Sequence, residues 1–176
     1  MIEVLSIPVG IEAADAMLKA GTVELRAAQS VCAGKYIAIV VGDVAAVRSA
    51  VKAGVEVAGM KLIDSLVIPS VDPQVAPAIN ACTEAHYIRA VGSIETYSLC
   101  AAVEAADEAV KAADIILLEI RLGRGLGGKS FITMTGEVAA IKASIAKVQG
   151  IKEIQGLLSD CVVIPAPHPE LAKVLL

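Results

Sequence analysis

Gly42-Asp43-Val44-Ala45-Ala46-Val47 returns later in the chain as Gly136-Glu137-Val138-Ala139-Ala140-Ile141. Working outward from this stretch, the echo extends in both directions. Ile2-Glu3, Glu12-Ala-Ala-Asp15 and Lys19-Ala20 recur as Ile94-Glu95, Glu104-Ala-Ala-Asp107 and Lys111-Ala112. Gly34-Lys35 recurs as Gly128-Lys129, Asp64 as Asp160, and Ile68-Pro69 with Pro73 as Ile164-Pro165 with Pro169. The spacing between partners grows by two residues between Lys19 and Gly34, and by two more before Asp64. The chain is therefore a tandem duplication with two short insertions in the second copy. Copies of roughly 85–90 residues are small but large enough to fold around their own cores.

The composition says where the apolar surface must go. Hydrophobic residues make up 56% of the 176, aromatic ones only 2%, and the mean hydropathy is +0.72. That is more Ala, Val, Ile and Leu surface than two small cores need, and the surplus is expected in subunit interfaces. No apolar run approaches the roughly 18–20 residues of a membrane span; the longest, such as Tyr36-Ile-Ala-Ile-Val-Val-Gly42, are strand-sized. No basic segment leading into an apolar stretch opens the chain, so no secretory signal and no membrane partner is expected. A net charge of −4, a pI of about 5.2 and the absence of Lys/Arg runs argue against nucleic acid as a partner.

Each copy reads as mixed α/β. In the first, Ile2–Ile7 is a short strand, and Ala13, Ala14, Met17 and Leu18 give the spacing of an amphipathic helix ending at Gly21. Strands follow at Val23–Val31 and Tyr36–Val41, joined by Cys32-Ala-Gly-Lys35 as a hairpin. Asp43 is placed to cap a helix running to about Val57, with Gly59 beyond its end. A strand at Leu62–Ile68 and a short helix after Pro69–Pro77 complete the copy. The second copy repeats the order: strand Ala90–Tyr97, helix Ala101–Ala112, strand Ile115–Leu122, a glycine loop, strand Ser130–Thr135, helix Val138–Gln149, strand Leu157–Ile164 and helix Pro169–Leu175. The domains are expected at 1–81 and 90–176, with 82–89 as linker. The second copy has Arg89-Ala-Val-Gly-Ser93 ahead of its Ile-Glu, whereas the first opens at Met1-Ile2-Glu3. Either the first strand is short or the chain begins downstream of its natural start.

Gly123-Arg-Gly-Leu-Gly-Gly128-Lys129-Ser130 satisfies the phosphate-loop pattern, but the chemistry behind that pattern needs a helix whose N-terminus faces the phosphates. Phe131-Ile-Thr-Met-Thr135 follows instead and reads as a strand. The glycines are better read as a flexible hairpin tip whose backbone can approach another group closely.

The repeated Ile-Glu, the Ala-Ala-Asp-x-x-x-Lys helix, the Gly-Lys hairpin, the Gly-Asp-Val-Ala-Ala-Val helix start and the terminal Ile-Pro with Pro167-His168 together resemble bacterial microcompartment shell proteins. Two copies in one chain resemble the tandem-domain, trimer-forming branch, and the likeness covers nearly the whole chain. It implies an α+β class made of two tandem, ferredoxin-like-variant shell domains, assembled as a pseudohexameric homotrimer. It implies a place in a microcompartment shell in the cytoplasm, beside other shell proteins. By the same resemblance the pore is lined by Val31, Ala33 and Gly34 of one loop and by Gly123, Arg124, Gly125, Leu126, Gly127 and Gly128 of the other. Lys19 and Lys111 become the edge lysines that help rings dock side by side. One departure stands out: the family's frequent Pro-Arg-Pro-His edge motif is Pro165-Ala166-Pro167-His168 here and Pro69-Ser70-Val71-Asp72 in the first copy. The arginine that often crosses to a neighbouring ring is missing from both.

Of the four cysteines, none forms a C-x-x-C pair, and a cytosolic chain keeps its thiols reduced. Cys100 and Cys161 read as small core residues and Cys82 as an inert linker residue. Cys32 differs, because Ala33 and Gly34 beside it are too small to bury it and its counterpart in the second copy is Leu126. Ser30-Val-Cys-Ala-Gly-Lys35 is similar to the pore sequence of tandem shell proteins from propanediol-utilising compartments that carry an iron–sulfur cluster. At a threefold pore, three copies of Cys32 converge on an axis that matches the body diagonal of a [4Fe–4S] cube, and thiolates are the usual ligands of such clusters. The expectation is one [4Fe–4S] cluster per trimer on Cys32, passing electrons across the shell to a redox enzyme of the lumen.

Two other readings are carried forward. In one, a metal-free pore conducts or gates a small metabolite. In the other, the chain is a ferredoxin-like regulatory trimer that senses a small molecule. No nucleophile–base arrangement is legible, since His86 and His168 lie in the linker and beside prolines, and Glu3 and Glu95 recur with the fold. No enzymatic activity is expected.

Overall fold

A computed structural model describes residues 1–82 and 85–175; residues 83 and 84 of the expected linker lie outside that range. The chain divides into two compact units, Met1–Pro69 with Gly123–Gly128, and Ser70–Leu122 with Lys129–Leu176.

Unit 1 contains β1 (Ile2–Val4), α1 (Ile7–Ala20), β2 (Glu24–Val31), β3 (Lys35–Val41), α2 (Val44–Ala58), a single 3-10 turn (Gly59–Lys61) and β4 (Leu62–Ser65). The strands form one antiparallel sheet in the order β2-β3-β1-β4. Each helical crossover skips a strand, and α1 and α2 pack against each other. Side chains alternate across the pleat. Ile2 and Val4 of β1 and Tyr36, Ala38 and Val40 of β3 join Ala13, Met17 and Val51 from the helices in the core. Complete burial of such a side chain stabilises by about 1.5–3 kcal/mol. Glu3, between Ile2 and Val4, belongs to the opposite face and is nevertheless fully buried.

The helix boundaries follow local chemistry. α1 begins at Ile7, earlier than the apolar periodicity suggests, because Pro8 is tolerated in the first turn where no N–H is needed. Asp43 occupies the N-cap of α2 as expected, but its side chain makes no capping bond. Where α1 crosses β3, a Cβ on Gly10 would lie 2.5 Å from Cβ of Tyr36. The second copy solves the same crossing with a larger helix residue and a smaller strand residue, Ala102 and Ser130, both fully buried.

Unit 2 contains α3 (Val75–Ile79), β5 (Ala90–Thr96), α4 (Leu99–Ala112), β6 (Ile115–Leu122), β7 (Ser130–Gly136), α5 (Val138–Gln149), α6 (Lys152–Gln155), β8 (Leu158–Ile164) and α7 (Pro169–Leu175). Its sheet order, β6-β7-β5-β8, is that of unit 1. Even the irregularities recur: bulges fall at Leu25/Ala27 and Leu117/Glu119, and at Glu3/Val4 and Glu95/Thr96. The second insertion is spent on α6, between α5 and β8. α4 is capped by Ser98, whose Oγ accepts the Ala101 N–H at 3.1 Å. α3 packs against β6 and α4, so the segment that follows the first copy's last strand is part of unit 2.

Candidate functional site

The site expected from sequence is a pair of hairpin tips, and strand register shows how they differ. In unit 1 Val31 pairs with Lys35, leaving only Cys32, Ala33 and Gly34 at the tip. In the second hairpin Leu122 pairs with Ser130, the equivalent of Ser30 with Tyr36, so the first two-residue insertion falls at the tip itself. Counted from the incoming strand, Cys32 corresponds to Arg124; counted from the outgoing strand, it corresponds to Leu126. A strand follows the glycine loop, as its β-branched residues require.

The two tips pack together. The Cys32 N–H donates to the Gly123 carbonyl at 2.8 Å, and the Gly125 N–H donates to Cys32 Sγ at 3.3 Å. Arg124 Nη2 donates to Gln29 Oε1 at 2.6 Å, and Lys35 Nζ to the Gly128 carbonyl at 3.3 Å. These bonds require a tightly folded loop, and Gly125 and Gly127 supply it with φ of +73° and +61°. An open depression of about 660 Å³ lies over the tips, walled by Ile7, Ser30, Val31, Cys32, Ala33 and Gly34 and by Arg124, Gly125 and Gly127. Gly123 and Gly128 are buried at the base of the loop, and Leu126 is half-buried outside the wall. The Cys32 thiol is half-buried.

Behind each tip stands an ion pair. Lys35 Nζ donates to Glu3 Oε1 at 2.6 Å, with the carboxylate wholly buried. In the second copy Lys129 donates to Glu95 Oε2 at 2.8 Å and Ser159 Oγ to the same oxygen at 2.7 Å, with both charged side chains more than a third exposed. Hydrogen bonds from Lys129 and Ser159 hold the Glu95 carboxyl below its ordinary value, and the bond to Glu95 raises Lys129. Glu3 and Glu95 are thus anchors for Lys35, which opens β3, and for Lys129, which immediately precedes β7. The partnership of Gln29 with Arg124 had no signal in the sequence.

The other expected residues are placed as follows. Lys19 pairs with Asp15 on the exposed face of α1, whereas Lys111 pairs with Asp107 at 2.5 Å and also donates to the Ser70 carbonyl. Cys100 is buried and Cys82 exposed. Cys161 is half-buried rather than a core residue, and burial together with Asp160 pushes its thiol up.

The model of the BMC domain matches residues 1–71 and again 90–167. The chain belongs to the BMC-domain family of bacterial microcompartment shell proteins. A crystal structure of a microcompartment protein from Desulfitobacterium hafniense DCB is 50% identical, with a TM-score of 0.88 over 97% of this BMC chain and 94% of that one. The bacterial microcompartment shell protein PduT of Citrobacter freundii is 37% identical over 171 residues, 97% of this chain and 93% of PduT. Single-domain shell proteins match half of it: PduA of Salmonella typhimurium is 36% identical over 87 residues, 49% of this chain and 89% of PduA. This BMC protein is therefore a structural component of a microcompartment shell, built on two α+β domains. No helix among the described residues is long and apolar enough to cross a membrane.

Proposed function

We propose that three copies of this chain form a shell tile whose pore is lined by the Cys32 and Gly123–Gly128 loops, and that the three Cys32 thiolates hold one [4Fe–4S] cluster there. The observation that carries the reading is the setting of Cys32. Cys32 lines an open depression together with Arg124, and its sulfur accepts a backbone N–H from Gly125. Among the described residues, that wall contains no acidic side chain. Thiolate-ligated clusters carry net negative charge, and N–H···S bonds with nearby positive charge stabilise them. The residues fit such a group, with one thiolate per chain and three per trimer, and the iron on the axis is left to a small ligand or a partner group. When bound, the cluster supplies one-electron transfer across the shell, to or from a redox enzyme of the lumen. Cys32 binds it, Gly125 orients the sulfur, and Lys35 ties its strand to the buried Glu3 and to the Gly128 carbonyl. Lys19 and Lys111 serve the edges that meet other shell proteins.

Anaerobic purification followed by iron and acid-labile sulfide assays and EPR tests this. About four irons per trimer, lost in Cys32→Ser, is the expected result. A reconstituted wild-type trimer without iron leaves a metal-free pore as the function of the same loops, and a Cys32→Ser trimer that keeps its iron overturns the assignment of the cluster to Cys32.

A further inference from the structure

The glycine loop of the second hairpin has little to hold its middle. A Cβ built on Gly125 or Gly127 would meet no atom within 4 Å, so neither residue is packed in place. The two ends of the loop are held instead. At the entry, the Gly123 carbonyl accepts the Cys32 N–H at 2.8 Å. At the exit, the Gly128 carbonyl accepts a hydrogen bond from Lys35 Nζ at 3.3 Å. A Cβ on Gly128 would lie 3.5 Å from Lys35 Cε and 3.6 Å from the Cys32 carbonyl oxygen, so this end rests on the lysine stem and on the first tip. Lys35 is itself fixed, because its ammonium is tied to Glu3 at 2.6 Å and the two side chains are only 15% and 0% exposed.

The second copy uses the equivalent lysine differently. Lys129 Nζ is bonded to Glu95 and, at 3.3 Å, to Ser159 Oγ. Strand register aligns Ser159 with Ile63, since Glu3 pairs with Asp64 and Glu95 with Asp160. Ile63 has no acceptor in its side chain. An ammonium carries three donors, so Lys35 can hold Glu3 and the Gly128 carbonyl at once.

We propose that Lys35 is a positioning residue for the Cys32 site: by clamping the Gly128 end of the loop to the buried Glu3, it keeps the Gly125 N–H on Cys32 Sγ. Only residues 124–127 lie between the two clamps, and two of them are glycines. Releasing one end returns backbone freedom to that stretch, most of all at the glycines, and the Gly125 N–H is no longer held against the sulfur. The bond from Arg124 to Gln29 does not replace the clamp, because a long side chain separates it from the loop backbone. The effect on a cluster rests on the reading above, whereas the clamp itself is a property of the metal-free chain.

Two measurements test it. Hydrogen–deuterium exchange of the metal-free protein reads residues 123–128 directly. Lys35→Met and Glu3→Met/Lys35→Met should each exchange there about tenfold faster, as fits the loss of one charge-assisted hydrogen bond. The double variant leaves no unpaired buried charge, so it carries the test even if the single one does not fold. Lys35→Arg keeps a donor for both partners and should stay near wild type. Val51→Ala, which weakens the core of unit 1 away from the clamp, should leave loop exchange unchanged. Unchanged exchange in the Lys35→Met variants, or an equal rise in Val51→Ala, overturns the clamp. In anaerobically loaded protein, Glu3→Met/Lys35→Met should keep its iron and show a more negative midpoint potential, since hydrogen bonds to the sulfurs raise it. An unchanged potential overturns the role at Cys32. Wild type without iron removes the cluster reading alone, and the exchange result still decides the clamp.

Discussion

Gly125 gives its backbone N–H to the sulfur of Cys32 at 3.3 Å, so the cysteine is oriented by the tip of a hairpin in the other copy of the repeat. The neighbouring Arg124 adds the positive charge in that wall. With the proposed cluster on Cys32, Arg124→Gln should leave iron content unchanged and move the midpoint potential to more negative values, because the added electron loses a favourable charge. A redox titration followed by EPR measures the shift. An unchanged potential would show that Arg124 only braces Gln29.

The two ion pairs behind the tips should respond very differently to mutation. Lys35→Met leaves the wholly buried Glu3 without its cation and should cost about 3 kcal/mol or more. Lys129→Met affects a pair open to solvent, with Ser159 still bonded to Glu95, and should cost far less. Urea unfolding of the two variants gives the comparison directly, and equal losses would contradict it.

The exposed pair also sets a pH dependence. Glu95 is held below its ordinary value in the folded chain, so its contribution is present above the unfolded value and is lost as pH falls through the folded one. Lys129 is raised, so its contribution is present below the unfolded lysine value and is lost as pH rises through the folded one. Stability should therefore hold a plateau between acid and alkaline limbs. Glu95→Gln should make both limbs shallower in melting temperature against pH, by a modest amount given the exposure.

At the crossing of α1 and β3 there is no room for a methyl group. Gly10→Ala gains up to about 1 kcal/mol of helix propensity. It also drives Cβ to within 2.5 Å of Tyr36, and overpacking costs about 1–3 kcal/mol. The base of the tyrosine side chain cannot swing away, so net destabilisation is expected in thermal unfolding. A rise in melting temperature would refute the packing argument.

The duplication made the order of elements legible, because periodicity and turn residues are local signals repeated twice. Cys32 was legible as a residue too small-flanked to bury. Its bonds to Gly123 and Gly125 were not, since they join residues far apart in sequence and depend on how one hairpin tip reaches the other. The pairing of Cys32 with Leu126 treated the tips as equal in length, whereas register places the insertion between them. Ser70–Ile79 shows the same limit: its spacing predicts a short helix, but nothing local says that β6 and α4 receive it. α6 was missed for a simpler reason, a four-residue helix having too few turns to display a period.

The covalent link between the repeats has a consequence for assembly kinetics. In the proposed ring of three chains, the two copies of each chain are tied by the backbone itself, so half of the six neighbouring pairs are held together independently of concentration. Three chains meet in two encounters and the last joint closes within the complex, so the ring's population scales with the third power of free chain, where six separate domains would impose the sixth. A tile of this kind forms at dilutions that would leave a hexamer of similar contacts dissociated, and when it comes apart it does so between chains, never between the copies within one.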